Sequence, residues 1–386
     1  MSQLIHSDSP SAEPRRPNLS RRKVLSLGAV ATGTALASCG KPGSSGSAPA
    51  SRGSRRVRWN LASSFGSSLR AMYGAAERLC ENVERMSGGT FQIRLYEAGE
   101  LVPALQVLDA VQDGSIHAGQ TAGYYYTGKN PALAFETCVP FGLAPRQQAA
   151  WLRQGGGLEA LRKRYADFGI VNFPAGNTGV QMGGWFRREV GGAADLAGLK
   201  MRIPGLGGKV MDALGVSVQN LAGGDIYPAL ERGAIDATEW VGPYDDEQLG
   251  FHKVASHYYY PGWWEPGPEL SFLVGRKAWD ALSAEHQAIF EAATQQAAAH
   301  MQAVYDHENP KALARLIEFG TQIVPFEEDL MRAAREASED LLSTEAAGDG
   351  GYADLLASWR SFRTETFGWF SRAEQAYARF AFGSPG

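Results

Sequence analysis

Two short stretches, Leu199-Lys-Met-Arg-Ile-Pro-Gly205 and Ala234-Ile-Asp-Ala-Thr-Glu-Trp240, indicate both the fold and the chemistry of this chain. The first is an apolar run that carries one arginine and ends at a Pro-Gly pair, which is typical of a brief buried strand. That arginine, Arg202, needs an anionic partner at the strand end, because burying an unpaired charge is costly. Its planar guanidinium group matches a carboxylate. The second stretch predicts another short strand, which ends at Glu239. Together they offer a cation and a carboxylate, the groups needed to hold a small organic acid beside a metal ion.

Residues 1–38 predict an export signal. Ser20-Arg-Arg-Lys-Val-Leu25 matches the twin-arginine pattern, and an uncharged, mostly apolar run follows that is too short to span a bilayer. The run ends in Leu36-Ala-Ser-Cys39, which resembles a bacterial lipobox, so lipidation of Cys39 would anchor the mature chain to a membrane. Cleavage by ordinary signal peptidase is the open alternative. Residues 39–54 are rich in Gly, Ser, Pro and Ala and predict a flexible tether. Because of the export signal, we expect a periplasmic protein.

The charge balance argues against nucleic-acid binding. The whole chain carries a formal net charge of −4, and residues 1–38 hold five basic and two acidic side chains, so the mature chain carries about −7. A mildly acidic exported protein without a basic stripe is a poor partner for nucleic acid. Cys80 and Cys138 are the ordinary cysteines that remain, and their spacing cannot establish a disulfide. The mature chain is long enough for two lobes.

Strand and helix patterns alternate from Arg56 onward. Residues 56–61 and 90–96 predict strands, and residues 67–86 and 103–112 predict helices. Such alternation predicts an α/β fold with a mostly parallel sheet covered by helices. A weak internal repeat favours two similar lobes, because residues 108–118 and 227–237 both show a short helix that ends at a glycine before a strand. Helix–Gly–strand is common in α/β proteins, so this repeat alone decides little.

Later segments carry more specific signals. Gly176 to Trp185 holds four glycines in ten residues, which predicts a backbone that closely approaches another segment or crosses between lobes. Residues 124–126, three tyrosines in a row, predict a strand end and a loop. A long helix is expected from Ser283, its N-cap, to about Glu308, and the chain after Pro310 is expected to be helical except for residues 321–325.

Several separated motifs resemble those of the extracytoplasmic solute-binding proteins of tripartite ATP-independent periplasmic (TRAP) transporters. They are Asp195-Leu-Ala-Gly-Leu-Lys-Met-Arg-Ile-Pro-Gly205, Gly223-Gly-Asp-Ile-Tyr-Pro-Ala-Leu-Glu-Arg-Gly-Ala-Ile-Asp-Ala-Thr-Glu-Trp240 and Tyr258-Tyr-Tyr-Pro-Gly-Trp-Trp-Glu-Pro-Gly267. The last two, with Gly176-Asn-Thr-Gly-Val-Gln-Met-Gly-Gly-Trp-Phe186, look like the branch that binds 2-oxo acids such as pyruvate, or lactate.

The resemblance covers about residues 56–345 and implies a two-lobe α/β periplasmic-binding-protein fold. A ligand cleft would lie between the lobes, and the C-terminus would be helical. The first lobe would comprise residues 55–178 with about 267–307, and the second lobe residues 179–266. The C-terminal helical region would be residues 308–386. The partners implied are a small carboxylate and the TRAP membrane permease subunits.

The resemblance also implies roles for individual residues. Arg202 would pair with the substrate carboxylate, while Gln181, Glu239, the main-chain carbonyl of Trp240 and Glu265 would hold a cation that touches the substrate. All four are oxygen ligands, as Na⁺ or Ca²⁺ requires.

Two further residues complete the implied substrate site, which also draws on Gln181 and Glu239. Tyr126 would reach the ligand from the first lobe, and Asn177 would contact it as well. No Cys/His cluster with zinc spacing occurs, and no organic cofactor is expected. Asp225 stands where glutamate is common in the family, and residues 217–219 lack a proline, but neither departure touches the implied site.

Two other functions stay open at this point. Glu239 and Glu265 could form the carboxylate pair of an exported hydrolase, although a nearby Arg202 would lower the pKa of the catalytic acid. No nucleophile elbow or phosphate-binding loop accompanies them. Trp263 and Trp264 would suit the sugar-binding protein of an ATP-driven importer, but the arginine favours an acid.

The C-terminal region carries a wide aromatic stripe at helical spacing. Its members are Tyr352, Leu355, Leu356, Trp359, Phe362, Phe370, Ala373, Tyr377 and Phe380. The helix either lies along its own body or reaches a second subunit, as in relatives of this branch that form dimers by exchanging this helix. Because an exposed apolar stripe is a liability on a monomer, we expect a homodimer whose two clefts stay separate.

Overall fold

Residues 56–383, the part of the chain that the computed structural model describes, form two β-sheets covered by helices. The predicted export signal at residues 1–38, the lipidation site at Cys39 and the tether at 39–54 lie outside the described residues. The strands of the described range are β1 (Val57–Ser63), β2 (Phe91–Tyr96), β3 (Ala118–Thr121), β4 (Ile170–Asn177), β5 (Trp185–Phe186), β6 (Lys200–Arg202), β7 (Ser217–Gln219), β8 (Ala237–Thr238), β9 (His257–Tyr260), β10 (Glu269–Gly275) and β11 (Gln322–Pro325).

Helices cover both sheets and make up the C-terminal part of the chain. They are α1 (Met72–Met86), α2 (Val107–Asp113), α3 (Ala134–Thr137), α4 (Pro145–Gln154), α5 (Gly157–Ala166), α6 (Gly205–Ala213), α7 (Gly223–Glu231), α8 (Pro243–Leu249), α9 (Arg276–Asp280), α10 (Ala284–Phe319), α11 (Glu328–Gly348), α12 (Gly350–Phe370) and α13 (Ala376–Ala381). Short 3₁₀ helices occur at Ala104–Gln106, Gly123–Tyr126, Pro131–Leu133, Ala193–Leu196 and Phe251–Lys253, and a π-helical segment, Ser371–Gln375, joins α12 to α13. Within residues 56–383 we find no helix that is long and apolar enough to cross a membrane.

The sheets are mixed rather than mostly parallel, which corrects the sequence-based expectation. The first has the order β2-β1-β3-β10-β4, and the second the order β11-β9-β5-β8-β6-β7. Strand β10 runs antiparallel to both of its neighbours, and β5 runs antiparallel to β8 and β9. The alternation of strands and helices predicts parallel pairs. It cannot predict antiparallel strands such as β5 and β10, which follow a strand of one sheet in sequence but pair within the other sheet.

The glycine-rich segment before β5 crosses from the first sheet to the second, as its composition predicted. At Gly183 a Cβ atom would lie 2.2 Å from the Phe326 ring, and at Gly184, where φ is +81°, it would lie 2.3 Å from the Thr238 carbonyl oxygen. Only glycine fits such close approaches of backbone to backbone and ring. The crossing therefore places residues 178–184 directly beside the strand that leads to Glu239.

Two helices differ from those that the sequence indicated. The sequence of residues 147–168 predicts a single helix, which the structure divides into α4 and α5 at Gly155 and Gly156, the latter with φ of +78°. Helix α10 begins at its predicted cap, where the Ser283 hydroxyl accepts from the His286 N–H, but it continues through Pro310 to Phe319. The strand predicted at residues 321–325 is confirmed as β11, which pairs in parallel with β9 in the second sheet.

A large aromatic core holds α10 against the first sheet. The Phe290 ring lies 5.2 Å from Phe173 and 5.7 Å from Trp59 between centroids, both with edge-to-face geometry, which stabilises aromatic pairs. Cys80 and Cys138 are free thiols.

The C-terminal aromatic stripe divides into two halves with different environments. Tyr352, Leu355, Leu356 and Trp359 are buried against the same chain, and the rings of Tyr352 and Trp359 both meet Phe135 edge on. Beyond Phe362 the stripe turns gradually to solvent: Phe370 is half-buried beside Arg146, whereas Tyr377 is 70% exposed and Phe380 91%. The first half thus packs against the body of its own chain, whereas the end of the second half, at Tyr377 and Phe380, is exposed.

Candidate functional site

Arg202 lies at the end of β6, in register with Gln219 on one side and Thr238 on the other. Its side chain is 1% exposed. The Nε atom donates to the Leu221 carbonyl at 3.1 Å, and Nη1 donates to the carbonyl of Glu239 at 3.2 Å and to its carboxylate. The remaining nitrogen, Nη2, is buried without a partner among residues 56–383. One edge of the guanidinium fork is therefore free to receive an anion.

Glu239 and Glu265 are the two carboxylates of the site, and both are buried. Burial raises the pKa of Glu239, and the attraction of Arg202 offsets this rise only in part. Although burial lowers the pKa of Arg202, the nearby acidic groups, Glu239 first among them, together more than compensate, and the net shift is upward. Burial, followed by repulsion from Glu239, raises the pKa of Glu265 well above its usual value. Arg202 thus pairs directly with Glu239 and acts on Glu265 only through its charge, so a further positive charge would stabilise both carboxylates as anions.

Backbone hydrogen bonds bring Gln181 and Glu265 together across a long stretch of sequence. The Gln181 N–H donates to the Glu265 carbonyl at 3.2 Å, and the Gly262 N–H donates to the Gln181 carbonyl at 2.9 Å. The Gln181 side chain donates through Nε2 to the Thr178 hydroxyl at 3.1 Å. Its Oε1 atom, together with Oε2 of Glu265 and Oε2 of Glu239, is buried and unpartnered within the described residues.

The main-chain carbonyl of Trp240 stands out between two carbonyls that are already bonded. The Glu239 carbonyl accepts from Arg202, and the Val241 carbonyl accepts from the Met182 N–H at 3.0 Å. No hydrogen bond reaches the Trp240 carbonyl from any residue of the described range. The ring of the same tryptophan lies 5.1 Å from the Arg202 guanidinium carbon, a cation–π distance.

The structure brings Arg202, Gln181, Glu239, Trp240 and Glu265 into one site. Three unpartnered side-chain oxygens and one free carbonyl oxygen suit a hard cation, and an unpartnered N–H edge suits a carboxylate. No cluster of three His, Cys, Asp or Glu side chains with metal-binding geometry occurs in the range 56–383. The donor set here is of another kind, since it draws on an amide and a main-chain oxygen.

Tyr126 and Asn177 lie differently from the expectation that both contact the ligand. The Tyr126 hydroxyl bonds with the Thr121 hydroxyl at 2.9 Å and accepts from the Leu108 N–H at 3.2 Å, within the first sheet and its helices. Asn177 donates to the Gly267 carbonyl at 2.9 Å and accepts from the Gly179 N–H at 3.0 Å. Both residues use their polar groups to hold the chain, and their roles as ligand contacts stay predictions.

Tyr125 and Tyr124 are the tyrosines beside Arg202, and the sequence-based analysis missed them. Burial raises the pKa of Tyr125 to about 12, and the proximity of Arg202 acts in the opposite direction. Residues 123–126 form a 3₁₀ turn rather than a strand end, so successive side chains point about 120° apart. This rotation sends Tyr126 inward and its neighbours toward the arginine, and the run of three tyrosines contains no signal for that choice.

A cavity of about 610 Å³ lies beside these residues, between segments that follow strands of both sheets. The first sheet contributes Phe65, Leu69 and Leu105, and the second contributes Leu221 and Trp240. Its lining is mostly apolar and includes a single charged residue, the acidic Asp225.

The family model described as bacterial extracellular solute-binding protein, family 7, matches residues 62–348. The chain belongs to this family. Over 364 aligned residues, this family 7 protein is 52% identical to the monocarboxylate 2-oxoacid-binding periplasmic protein of Nostoc sp., covering 94% of this chain and 99% of that relative.

Two crystal structures of TRAP solute-binding proteins are also similar to this family 7 protein. The one from Bordetella bronchiseptica, a mixed-occupancy dimer with co-purified calcium and picolinate, has a TM-score of 0.84 at 45% identity, covering 85% of this chain and 98% of that one. The one from Pseudoalteromonas atlantica, with bound sodium and pyruvate, has a TM-score of 0.82 at 41% identity, covering 84% and 99%. The predicted TRAP receptor fold and the assignment to a transport receptor rather than an enzyme are confirmed.

Proposed function

We propose that this TRAP solute-binding protein captures a small 2-oxo monocarboxylate such as pyruvate, or lactate, together with Na⁺ or Ca²⁺. The observation that carries the proposal is the set of buried, unpartnered polar atoms on Arg202, Gln181, Glu239 and Glu265. Leaving a buried polar group unpaired costs about 1–3 kcal/mol. A ligand that pairs all of them recovers this cost on binding, which is a physical reason for a site here.

Each residue has a distinct part in the proposed complex. The Nη2 edge of Arg202 binds the substrate carboxylate while its Nε stays with Leu221. Gln181, Glu239, the Trp240 carbonyl and Glu265 hold the cation. The cation supplies positive charge that offsets the two glutamates and attracts an oxygen of the acid.

The charges that line the neighbouring cavity support an acid with a single carboxylate. Its lining holds no Lys, Arg or His, and its one charged residue is Asp225, so a second carboxylate would meet no cation there. The named relatives agree, since the Nostoc protein is described as binding monocarboxylate 2-oxo acids and the Pseudoalteromonas structure contains pyruvate with sodium.

Calorimetry on the purified mature protein tests this proposal. Pyruvate, lactate, maltose and sialic acid are titrated before and after chelation, and again after calcium or sodium is restored. We expect heat of binding with pyruvate or lactate only, and only when a cation is present. Binding of maltose without a cation would favour the sugar-importer function instead.

We propose further that the twin-arginine signal at residues 1–38 exports the chain to the periplasm. Lipidation of Cys39 then holds it beside the TRAP permease, to which it delivers the acid. Cys39→Ala should move the mature protein from the membrane fraction to the soluble periplasmic fraction. Replacing the arginine pair at 21–22 by lysines should keep the precursor in the cytoplasm. A Cys39→Ala protein that stays in the membrane fraction would contradict the anchor.

Dimer formation through the C-terminal helix is also proposed. Its support is the exposed end of the aromatic stripe, where Tyr377 and Phe380 are more than two-thirds exposed in the described chain. The Bordetella relative is a dimer. An apolar stripe of this kind on a soluble receptor favours burial against a second copy.

A further inference from the structure

Asp246 is a buried carboxylate in the first turn of α8, and both of its oxygens are fully bonded. Oδ1 accepts from the N–H groups of Val241 and Gly242, each at 3.2 Å. Oδ2 accepts from the Trp185 indole at 2.9 Å and from the Tyr258 hydroxyl at 2.7 Å. One side chain therefore connects the loop after β8 to β5 and to β9.

The bond to Val241 determines where the Trp240 carbonyl points. Trp240 C=O and Val241 N–H belong to one planar trans peptide, in which the two bonds point in opposite directions. Because the N–H is held by Asp246, the carbonyl faces away from Asp246. It is the one carbonyl of the run 239–241 that no donor within the described residues reaches.

The other anchors of Asp246 relate this carbonyl to the rest of the site. Trp185 begins β5, four residues after Gln181, and its ring stacks on Tyr258 with centroids 4.0 Å apart and an interplanar angle of 15°. Tyr258 lies on β9, the strand next to β5 in the sheet and seven residues before Glu265. The stacked rings of Trp185 and Tyr258 both donate to Asp246, so the strands β5 and β9 fix the position of this carboxylate. Asp246 in turn fixes the Trp240–Val241 peptide.

We propose that Asp246 is a positioning residue that aims the Trp240 carbonyl at the cation, an inference that rests on the proposed function. It touches neither the acid nor the metal. It orients the main-chain carbonyl oxygen of Trp240 through the hydrogen bond to the same peptide. Groups that hydrogen-bond to metal ligands orient those ligands in the same way. The neighbouring Asp245 offers a matched control, because it accepts from Tyr305 at 2.5 Å but from no backbone group of residues 240–242.

The test compares Asp246→Asn with Asp245→Asn in the full mature protein. Thermal midpoints report stability, and calcium is titrated at a fixed pyruvate concentration, followed by pyruvate titration at saturating calcium. We expect Asp246→Asn to raise the calcium midpoint by about tenfold or more, the usual effect of losing a group behind a metal ligand. Saturating calcium should then restore wild-type affinity for pyruvate, because Arg202 and the remaining ligands are intact. Asp245→Asn should lower the thermal midpoint and leave the calcium midpoint unchanged.

Other outcomes overturn the inference. An unchanged calcium midpoint in Asp246→Asn, an equal shift in Asp245→Asn, or a loss of pyruvate affinity that persists at saturating calcium each indicates a merely structural role. If Asp246→Asn does not fold, Tyr258→Phe decides: it removes one donor, and a calcium midpoint raised by about threefold or more supports positioning, while an unchanged midpoint opposes it. A wild-type protein that binds pyruvate fully without any cation would instead disprove the proposed function, so the two failures are distinguishable.

Discussion

Replacing Arg202 by lysine should weaken binding of the acid by about ten- to a hundredfold while the fold is retained. Arginine serves three partners here, since Nε holds Leu221, Nη1 holds Glu239 and Nη2 remains for the ligand. Lysine keeps the charge, but its single ammonium group cannot bind Glu239 and a carboxylate with the same paired geometry. A hydrogen bond to a charged group contributes about 1.5–3 kcal/mol, and about 1.4 kcal/mol corresponds to a tenfold change in affinity.

The assay is titration calorimetry with pyruvate at saturating calcium, accompanied by thermal denaturation to verify folding. Arg315→Lys is the matched control, because Arg315 also makes a two-pronged pair, with Glu247 at 2.8 and 2.5 Å, but on the surface at 49% side-chain exposure. Exposed pairs contribute little, so this variant should bind pyruvate like the wild type. Unchanged affinity in Arg202→Lys, or an equal loss in Arg315→Lys, would refute the assignment of Arg202 as the anion anchor.

Three further predictions concern the cation, pH and assembly. Chelation or exhaustive desalting should weaken pyruvate binding, and Glu239→Gln should weaken calcium and pyruvate binding together; full affinity in buffer shown to be metal-free by elemental analysis would contradict this. Burial raises the pKa of Glu269 to about 7, compared with about 4.3 in an unfolded chain, so between these values the folded protein holds a proton that the unfolded chain has lost. The stability that this carboxyl contributes is complete below the lower value and is lost as the pH rises toward 7, so Glu269→Gln should flatten the fall in melting temperature between pH 5 and 7, and an unaltered slope would refute the shift. Truncation after Phe370 keeps the buried Trp359 but removes Tyr377 and Phe380, so light scattering should give a monomer for the truncation and a dimer for the intact chain; an intact chain that is monomeric at tens of micromolar would refute the dimer.

Local sequence patterns were sufficient to predict most of the elements, because helix caps, glycine stops and apolar periodicity act over a few residues. The strand at 91–96 lies within its expected range, and Ser283 caps the long helix as predicted. The four glycines of 176–185 predicted a crossing segment, because only a backbone without Cβ atoms can pass so close to Phe326 and Thr238. The glycine content of this segment therefore indicates a close backbone approach even before the contacting residues are known.

Side-chain direction could not be predicted in the same way. Three consecutive tyrosines are chemically equal in the sequence, and the 3₁₀ turn at 123–126 alone decides that Tyr125 rather than Tyr126 lies beside Arg202. The family resemblance implied that Asn177 contacts the ligand. In the structure its amide bonds to Gly267 and Gly179, which lie in irregular segments that connect strands of the two sheets.

The sequence by itself determined the types of group in the site: one arginine at a strand end, two glutamates, and an amide in a glycine-rich crossing. These are properties of residue identity and of short-range spacing. Only the tertiary structure decided that Gln181, Arg202, Glu239 and Glu265 share one buried space, and that the Trp240 carbonyl is the one left free. The reason is physical: burial, charge repulsion between the two glutamates, and the aim of a peptide bond held by Asp246 all depend on segments far apart in the chain. The energetic cost of burying these charges and the direction of the Trp240 carbonyl are therefore set only when the two sheets have formed.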